Sequence, residues 1–501
     1  MIWRVVVTFV FFKQAVFGAP PPEASAIIDA LPDKRLSLNA VLSQAIRLSD
    51  SYQGLKAIQM AADSMELSSH APTDARVFAK SGYSDDGTEG ASPISPIQSR
   101  GLRYSAGIEK HLQTGTTLSM EATHSIANSR NASIIGDLNY AESKITVGIQ
   151  QSLWKNALGT ADRARFEANQ RAAQANRLFF DVSREDWALQ LGDLFYNAWL
   201  SQQKLLLANE SLARRKRLLD VVEIRNLRGT AERSDLLQVR SALARAKIGR
   251  DHAQHELNDR WHLLVTTLKL PVSLSTIDPT EIPIASDFDI EGTLSRCGPP
   301  QAPREAPDDS SETKRSELQK LAAKAALDAA RGNDLPDLDL IVNAATNSVD
   351  PSSEGTLNDL SALKYSAYSA SVVLSLPLGS FASKAQVQAL SADSLKAGSQ
   401  WSQAKDLLKT TWRSRCLELH RLRGARAELS QAVEWQTERE RHEETRFSLG
   451  RTTTSQVIQA GDDRAETAAQ LRSVEAALYL TALSINKMSG QLLALLKSLS
   501  G

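Results

Sequence analysis

Apolar residues recur along this chain in two periods. From Ile145 they alternate strictly, with Ile145, Val147, Ile149 and Leu153 on one face and Thr146, Gly148, Gln150 and Ser152 on the other. That two-residue period predicts a strand with one apolar face. The alternation returns at Ala370, Val372, Leu374, Leu376 and Leu378 against Ser369, Ser371, Ser375 and Pro377. A partner run sets Leu338, Leu340, Val342 and Ala344 against Asp337, Asp339 and Asn343. Elsewhere the spacing lengthens to three and four. Trp187, Leu191, Leu194, Ala198, Ser201, Leu205, Ala208, Leu212, Arg215, Leu219 and Val222 are apolar at nine of eleven places, which predicts a coiled-coil seam. A second seam runs through Leu408, Trp412, Leu419, Leu422, Leu429 and Val433, interrupted by Arg415 and Arg426. Its packing is expected to be looser or wetter.

Each seam lies in a long proline-free stretch, from about Thr160 to Arg228 and from about Ser383 to Leu449. At a rise of about 1.5 Å per residue, either would make a helix of about 100 Å. Both end in the same signature. RNLRG at Arg225–Gly229 precedes Ser234, Leu236, Leu237 and Gln238; RFSLG at Arg446–Gly450 precedes Ser455, Val457, Ile458 and Gln459, each match 221 residues apart (446 − 225 = 221). A repeat of this length implies one structural unit used twice. Gly229 and Gly450 each stand between two amphipathic stretches, which predicts helix-hairpin turns with glycine in the left-handed conformation.

The repeat sets the organisation. Residues 27–290 form the first copy, with strands at about 75–83 and 143–153, an extra hairpin at about 102–124, and helices at about 160–228 and 234–268. Residues 315–501 form the second, with strands at about 337–345 and 368–378 and helices at about 383–449 and 455–489. Between them, residues 291–314 are Pro-rich and polar, as a linker would be. From Pro72 to Arg163 is 91 residues and from Pro336 to Lys384 is 48, so the first copy carries 43 more. The excess has its own hairpin signal: Leu102, Tyr104, Ala106 and Ile108 alternate, QTGT at Gln113–Thr116 turns, and Leu118, Met120 and Ala122 alternate back. It is read as an elaboration of an outward-facing rim, with extra wall strands as the alternative.

One-faced strands mean core against water in a soluble sandwich and lipid against lumen in a membrane barrel. A handful of strands joined to very long helices has no second sheet to cover its apolar face, whereas lipid would serve. So few strands cannot close a barrel alone, and open edges are not tolerated in lipid, so several copies must share one. No stretch after the amino terminus approaches the roughly 20 apolar residues of a spanning helix. Met1–Arg4, the apolar run Val5–Phe12 and the small residues Ala24, Ser25 and Ala26 predict an export signal over residues 1–26. The net charge of zero and 42% apolar content indicate no nucleic-acid partner. Cys297 and Cys416 are too few for a disulfide framework and lack any ligand spacing, so they say little about compartment.

Strand hairpin, long helix, glycine turn and return helix, present twice after an export signal, resembles the TolC family of outer-membrane efflux proteins. The matching stretches run from LSLNAVLSQAIRLSDSYQGLKA at Leu36–Ala57 to YLTALSINKMSG at Tyr479–Gly490, the most specific being LPDLDL at Leu335–Leu340, LPLG at Leu376–Gly379 and RFSLGRTTTSQVIQA at Arg446–Ala460. The resemblance implies a mainly α fold with a membrane β-barrel portion. Three subunits would give four strands each to a twelve-stranded barrel, continued by an α-helical coiled-coil tunnel across the periplasm. It implies an outer-membrane exit duct for efflux or secretion, with no enzymatic activity and no cofactor. The implied partners are the homotrimer's own copies, outer-membrane lipid, a periplasmic adaptor and an inner-membrane pump or ABC exporter. Arg225, Gly229, Arg446 and Gly450 would form the periplasmic tip that meets the adaptor. Asp235, Gln456 and Gln459 would line the aperture, and Ser234, Phe447 and Thr452 would stand at its latch. Family members often carry acidic residues at the two glutamine positions, a Tyr at Phe447 and an Arg at Thr452. The chain also has Gln151-Ser152-Leu153 where Gln-Pro-Leu is usual. A differently latched, less cation-selective entrance follows from neutral amides in place of carboxylates.

Other candidate chemistry carries less. His252, His255 and His262 have no carboxylate at a ligand spacing, and a solvated helix face accounts for them better than a metal. Asp462 and Asp463 beside Gly461 have no recognisable nucleophile partner. Tyr83, Tyr104, Tyr140, Trp154, Tyr365 and Tyr368 cluster around the strands, as interfacial girdles would, with ordinary packing the alternative. The rival reading is a periplasmic or secreted coiled-coil scaffold with a small soluble cap. A surface hydrolase would need a GxSxG or HExxH that is absent.

Overall fold

The computed structural model describes residues 36–87, 98–130, 138–269, 289–307, 310–361, 365–376 and 379–500. The expected export signal at 1–26 lies outside these residues, as do Pro377 and Leu378 of the expected strand 368–378. Two units make up the chain. One comprises Lys56–Val182 and Asp308–Leu408, the other the residues up to Leu55, Ser183–Pro307 and Lys409–Gly501.

The first of these units carries six strands: β1 Ala75–Asp86, β2 Gln98–His111, β3 Thr116–Arg130, β4 Leu138–Ser152, β5 Asp337–Asp350 and β6 Ser366–Ser375. All neighbours pair antiparallel, in the order β1–β2–β3–β4–β5–β6. The chain supplies six strands rather than the four that the resemblance implied, and of the two placements open for the hairpin β2–β3, rim or wall, it takes the sheet, between β1 and β4. The reason is register: β2 pairs with β1 along all twelve residues of β1, and β3 pairs with β4 from Thr116↔Gln151 to Ser129↔Leu138. The hairpin turn is tied down at the helix end of the sheet. Ser152 N donates to Gly115 O at 3.2 Å, and His111 Nε2 lies 2.7 Å from Asp162 Oδ2. Gly159, at φ +77°, lies so close to the turn that a Cβ there would stand 1.8 Å from Gln113 O.

Four long helices contribute to this unit and follow one another by contact; the helix before them, α1 (Leu38–Leu48), belongs to the other unit. The first of the four is α2 (Asp50–His70), whose Asp63 binds Arg177 of α3 (Thr160–Leu227) at 3.2 Å. Phe179 of α3 lies under the Arg315 guanidinium of α6 (Ser311–Asn333), 4.4 Å from its ring centre. Lys320 of α6 sits 3.6 Å over the Trp401 ring of α8 (Phe381–Ser448). A short helix, α7 (Ser353–Ser361), joins β5 to β6.

The second unit is helical. It holds α1, the remainder of α3 and α8, α4 (Arg233–Thr267), α5 (Ile290–Cys297), α9 (Thr454–Met488) and α10 (Gln491–Ser500). α3 and α8 have 68 residues each, and α4 and α9 have 35 each. The expected seam is buried at Trp187, Leu191, Ala198, Ser201, Leu205, Leu212, Arg215 and Val222. Its largest core gathers Phe195, Tyr196, Trp199, Trp261 and Tyr479 with Leu42 and Leu191.

The stretch read as a linker begins with a helix and is held down. Cys297 at the end of α5 is bonded to Cys416 of α8, with Cα atoms 5.5 Å apart. Trp412 Nε1 donates to Arg304 O at 2.9 Å, and His420 Nε2 lies 2.8 Å from Gly298 O. Trp412, Cys416 and Leu419 are buried there with Leu294, Leu478 and Ile485. The two cysteines, too few for a framework, are therefore partners in a single bond across 119 residues.

Candidate pore wall and helix-hairpin tip

The strand register sorts the sheet's side chains into two faces. One row running across all six strands is Val77, Ile108, Met120, Val147, Ala344 and Tyr368. The neighbouring row on the other face is Arg76, Glu109, Ser119, Gly148, Asn343 and Ser369, with Arg76 Nη2 bound to Glu109 Oε2 at 2.8 Å. The apolar row is not a core: Val77, Ile108, Met120, Val147 and Tyr368 are between 44% and 82% exposed. Burying each would contribute roughly 1.5–3 kcal/mol, so a face of this kind implies a covering medium or partner.

Polarity on this face changes where the protein covers itself. α7 packs on β4 and β5, and the residues beneath it are Ser143, Thr346 and Ser348, all buried. Ser143 Oγ donates to Thr356 Oγ1 at 3.0 Å, and His124 Nδ1 lies 2.8 Å from Ser143 Oγ. Hydroxyls thus occupy the covered corner, while the bare remainder is mainly apolar, with Ser81, Lys110 and Ser366 among its exposed polar groups. Of the aromatics singled out from sequence, Tyr83, Tyr104 and Tyr368 are exposed on the apolar face, whereas Tyr140 belongs to the alternate, polar set.

Within the helical unit, the two glycine turns are built alike. Gly229 and Gly450 have φ of +71° and +72°. Thr230 N donates to Arg225 O at 2.9 Å, and Arg451 N donates to Arg446 O at 2.8 Å. These bonds satisfy the last helical carbonyls in the usual glycine C-cap manner. After the second turn, Thr453 caps α9 and forms a reciprocal capping box with Gln456.

The remaining site residues have partners of their own. Ser234 Oγ donates to Glu232 Oε2 at 3.1 Å, and Asp235 stands in the first turn of α4, where the helix dipole favours a carboxylate. Thr452 Oγ1 donates to Glu443 Oε2 at 2.7 Å and also bonds Gln456. Gln459 Nε2 donates to Asp463 Oδ1 at 2.6 Å, while Arg439 holds the other oxygen of Asp463 at 2.7 Å. Phe447 is buried with Val222, Val239, Val457 and Ile458, and its ring lies 4.3 Å beneath the Arg225 guanidinium.

Arg225 is the link that ties the two hairpins at their tips. Its Nη2 donates to Phe447 O at 2.6 Å and to Ser448 O at 2.9 Å, the last carbonyls of α8. A second link, missed in the sequence, lies further up the same helices. Buried Glu440 of α8 accepts from Arg214 of α3 at 3.1 Å and from Arg464 of α9 at 3.0 Å. Buried Arg215 reaches Ile458 O at 2.8 Å and the Asp462 carboxylate. Burial pushes the Arg214 guanidinium below its ordinary value, while Glu440 acts against that. Gly461 makes room, since a Cβ there would stand 2.9 Å from Glu440 Oε1. Asp462 and Asp463 beside Gly461 were visible in sequence as candidate acid/base groups, whereas the Arg215 partner of Asp462, from the other repeat, was not.

No family model and no curated protein matches the chain's sequence. Solved structures do match it. The outer-membrane protein VceC of Vibrio cholerae aligns over 93% of this chain and 96% of its own, with a TM-score of 0.62 and 14% identity. The fold is that of the TolC-like outer-membrane channels. The CmeC outer-membrane channel of Campylobacter jejuni (TM-score 0.63, 11% identity, 90% of this chain and 85% of that one) shares it. So does the open state of the MtrE outer-membrane channel of Neisseria gonorrhoeae (0.61, 13%, 90% and 88%). The resemblance drawn from the sequence motifs therefore holds for the TolC-like fold, with a wider sheet than the resemblance implied. Among the described residues, no helix is long and apolar enough to cross a membrane; the sheet's bare apolar face is the surface suited to lipid.

Proposed function

We propose that this chain is one subunit of a trimeric outer-membrane exit duct, a passive conduit through which efflux or secretion proceeds. The observation that carries the reading is the exposed apolar face running across six strands, on a fold shared with outer-membrane channels. Lipid covers that face, and the Arg76–Ser369 row faces the lumen. The helical part extends into the periplasm, where the disulfide is suited to an oxidising compartment. The glycine turns at Gly229 and Gly450, with Arg225 and Arg446, form the tip that meets a periplasmic adaptor and, through it, an inner-membrane pump or exporter. The pump supplies the energy.

At the entrance, Gln456 and Gln459 present amides where carboxylates would concentrate cations, and Asp235 leaves one acidic position per subunit. Opening proceeds by release of the Arg225 link. Fractionation tests the reading: the chain is expected in the outer-membrane fraction and in solution only with detergent. Recovery as a detergent-independent monomer or dimer refutes it and favours the scaffold. Selectivity tests the entrance: Gln459→Asp is expected to shift the reversal potential toward cations, and an unchanged potential would sink that part.

A further inference from the structure

We infer that three copies close an eighteen-stranded barrel, with β2 and β3 of each copy built into its wall and β6 of one copy hydrogen-bonded to β1 of the next. The inference rests on the proposed duct and goes beyond it, because the sequence resemblance implied twelve strands. Among the described residues, the sheet ends at β1 and β6: β1 pairs with β2 over twelve residues, β6 pairs with β5 over ten, and no further described strand lies beyond either. An unpaired edge is not tolerated in hydrocarbon, because each bare N–H and C=O there costs several kcal/mol. With an even number of antiparallel strands, β6 of one copy meets β1 of the next antiparallel. Val77 on one edge and Tyr368 on the other belong to the same apolar row, so the lipid face continues unbroken across such a seam. A head-to-tail contact of this kind, repeated by rotation, closes a ring.

The hairpin belongs in that wall by the same register. Ile108 and Met120 carry the apolar row, while Glu109 and Ser119 carry the polar one. Were β2–β3 to leave the sheet, β1 would lose its only partner and those apolar groups their row. Since barrel diameter grows about linearly with strand number, eighteen strands make a lumen about one and a half times as wide as twelve. The cargo class that follows is correspondingly bulky.

Single-particle imaging of the full chain, extracted in mild detergent, tests this. Eighteen strands in a three-copy ring, with β6–β1 seams, is the expected result. A three-copy ring of twelve strands with β2–β3 outside the wall overturns the inference and leaves the duct standing. A two-copy ring of twelve strands overturns it together with the trimer. Absence of any ring overturns both this inference and the duct. A variant lacking residues 98–130, which leaves β1 free to pair antiparallel with β4, is expected to close with a barrel about two-thirds as wide. An unchanged width in that variant would also overturn it.

Discussion

Replacing both Cys297 and Cys416 by alanine removes a covalent tie across 119 residues. On the chain-entropy relation, closing a loop of that length restricts the unfolded ensemble by about 5 kcal/mol. The native contacts around the bond persist: Trp412 to Arg304 O at 2.9 Å, Arg423 to Glu291 at 2.9 Å, and Arg296 to Asn486 at 2.6 Å. The double variant should therefore fold, with its helical unit less stable by up to about 5 kcal/mol, which at this size is roughly 5–10 °C in midpoint. Thermal unfolding followed by circular dichroism in detergent, with and without a thiol reductant, measures it. Reductant is expected to lower the wild-type midpoint to that of the variant and to leave the variant unmoved. Segment 298–307 should become cleavable by protease under the same conditions. A wild type whose midpoint and proteolysis are indifferent to reductant would refute the reasoning.

Other perturbations test other parts of the structure. Arg225→Ala removes two charged hydrogen bonds and the stacking on Phe447; a loss of about 2–4 kcal/mol between the hairpins is expected to raise open probability in single-channel records, and unchanged gating would count against it. Gly461→Val puts a side chain against Glu440 and is expected to cost about 1–3 kcal/mol, read as a lower unfolding midpoint. Val147→Arg, on the apolar row, is expected to cost about 2–4 kcal/mol of membrane stability and to abolish assembly, whereas Thr146→Arg on the polar face is tolerated. Equal tolerance of the two substitutions would show that the faces are not lipid and lumen.

How much of this was legible in sequence depends on the range over which each feature is encoded. The glycine turns were legible because Gly229 and Gly450 sit in matching local signatures and both take positive φ. The strand faces were legible because alternation is a local property. What alternation cannot specify is which strand lies beside which, and so the choice between rim and wall for β2–β3 stayed open until its register set it in the sheet. The Cys297–Cys416 bond joins the linker to the second repeat, and the Arg214, Arg215, Glu440 and Arg464 cluster joins the two repeats; no spacing rule brings such residues together. Ser234 and Thr452 bond to neighbours within their own hairpins, Glu232 and Glu443, whereas the bonds of Arg225 to the carbonyls of Phe447 and Ser448 cross between hairpins and carry no spacing signal.

Planar-bilayer recording of the detergent-extracted wild type and of Arg225→Ala tests the duct most directly. Discrete conductance steps are expected, brief in the wild type and prolonged in the variant. If neither protein conducts and the wild type stays dispersed once detergent is withdrawn, the sheet's apolar face does not lie in a membrane and the account is contradicted.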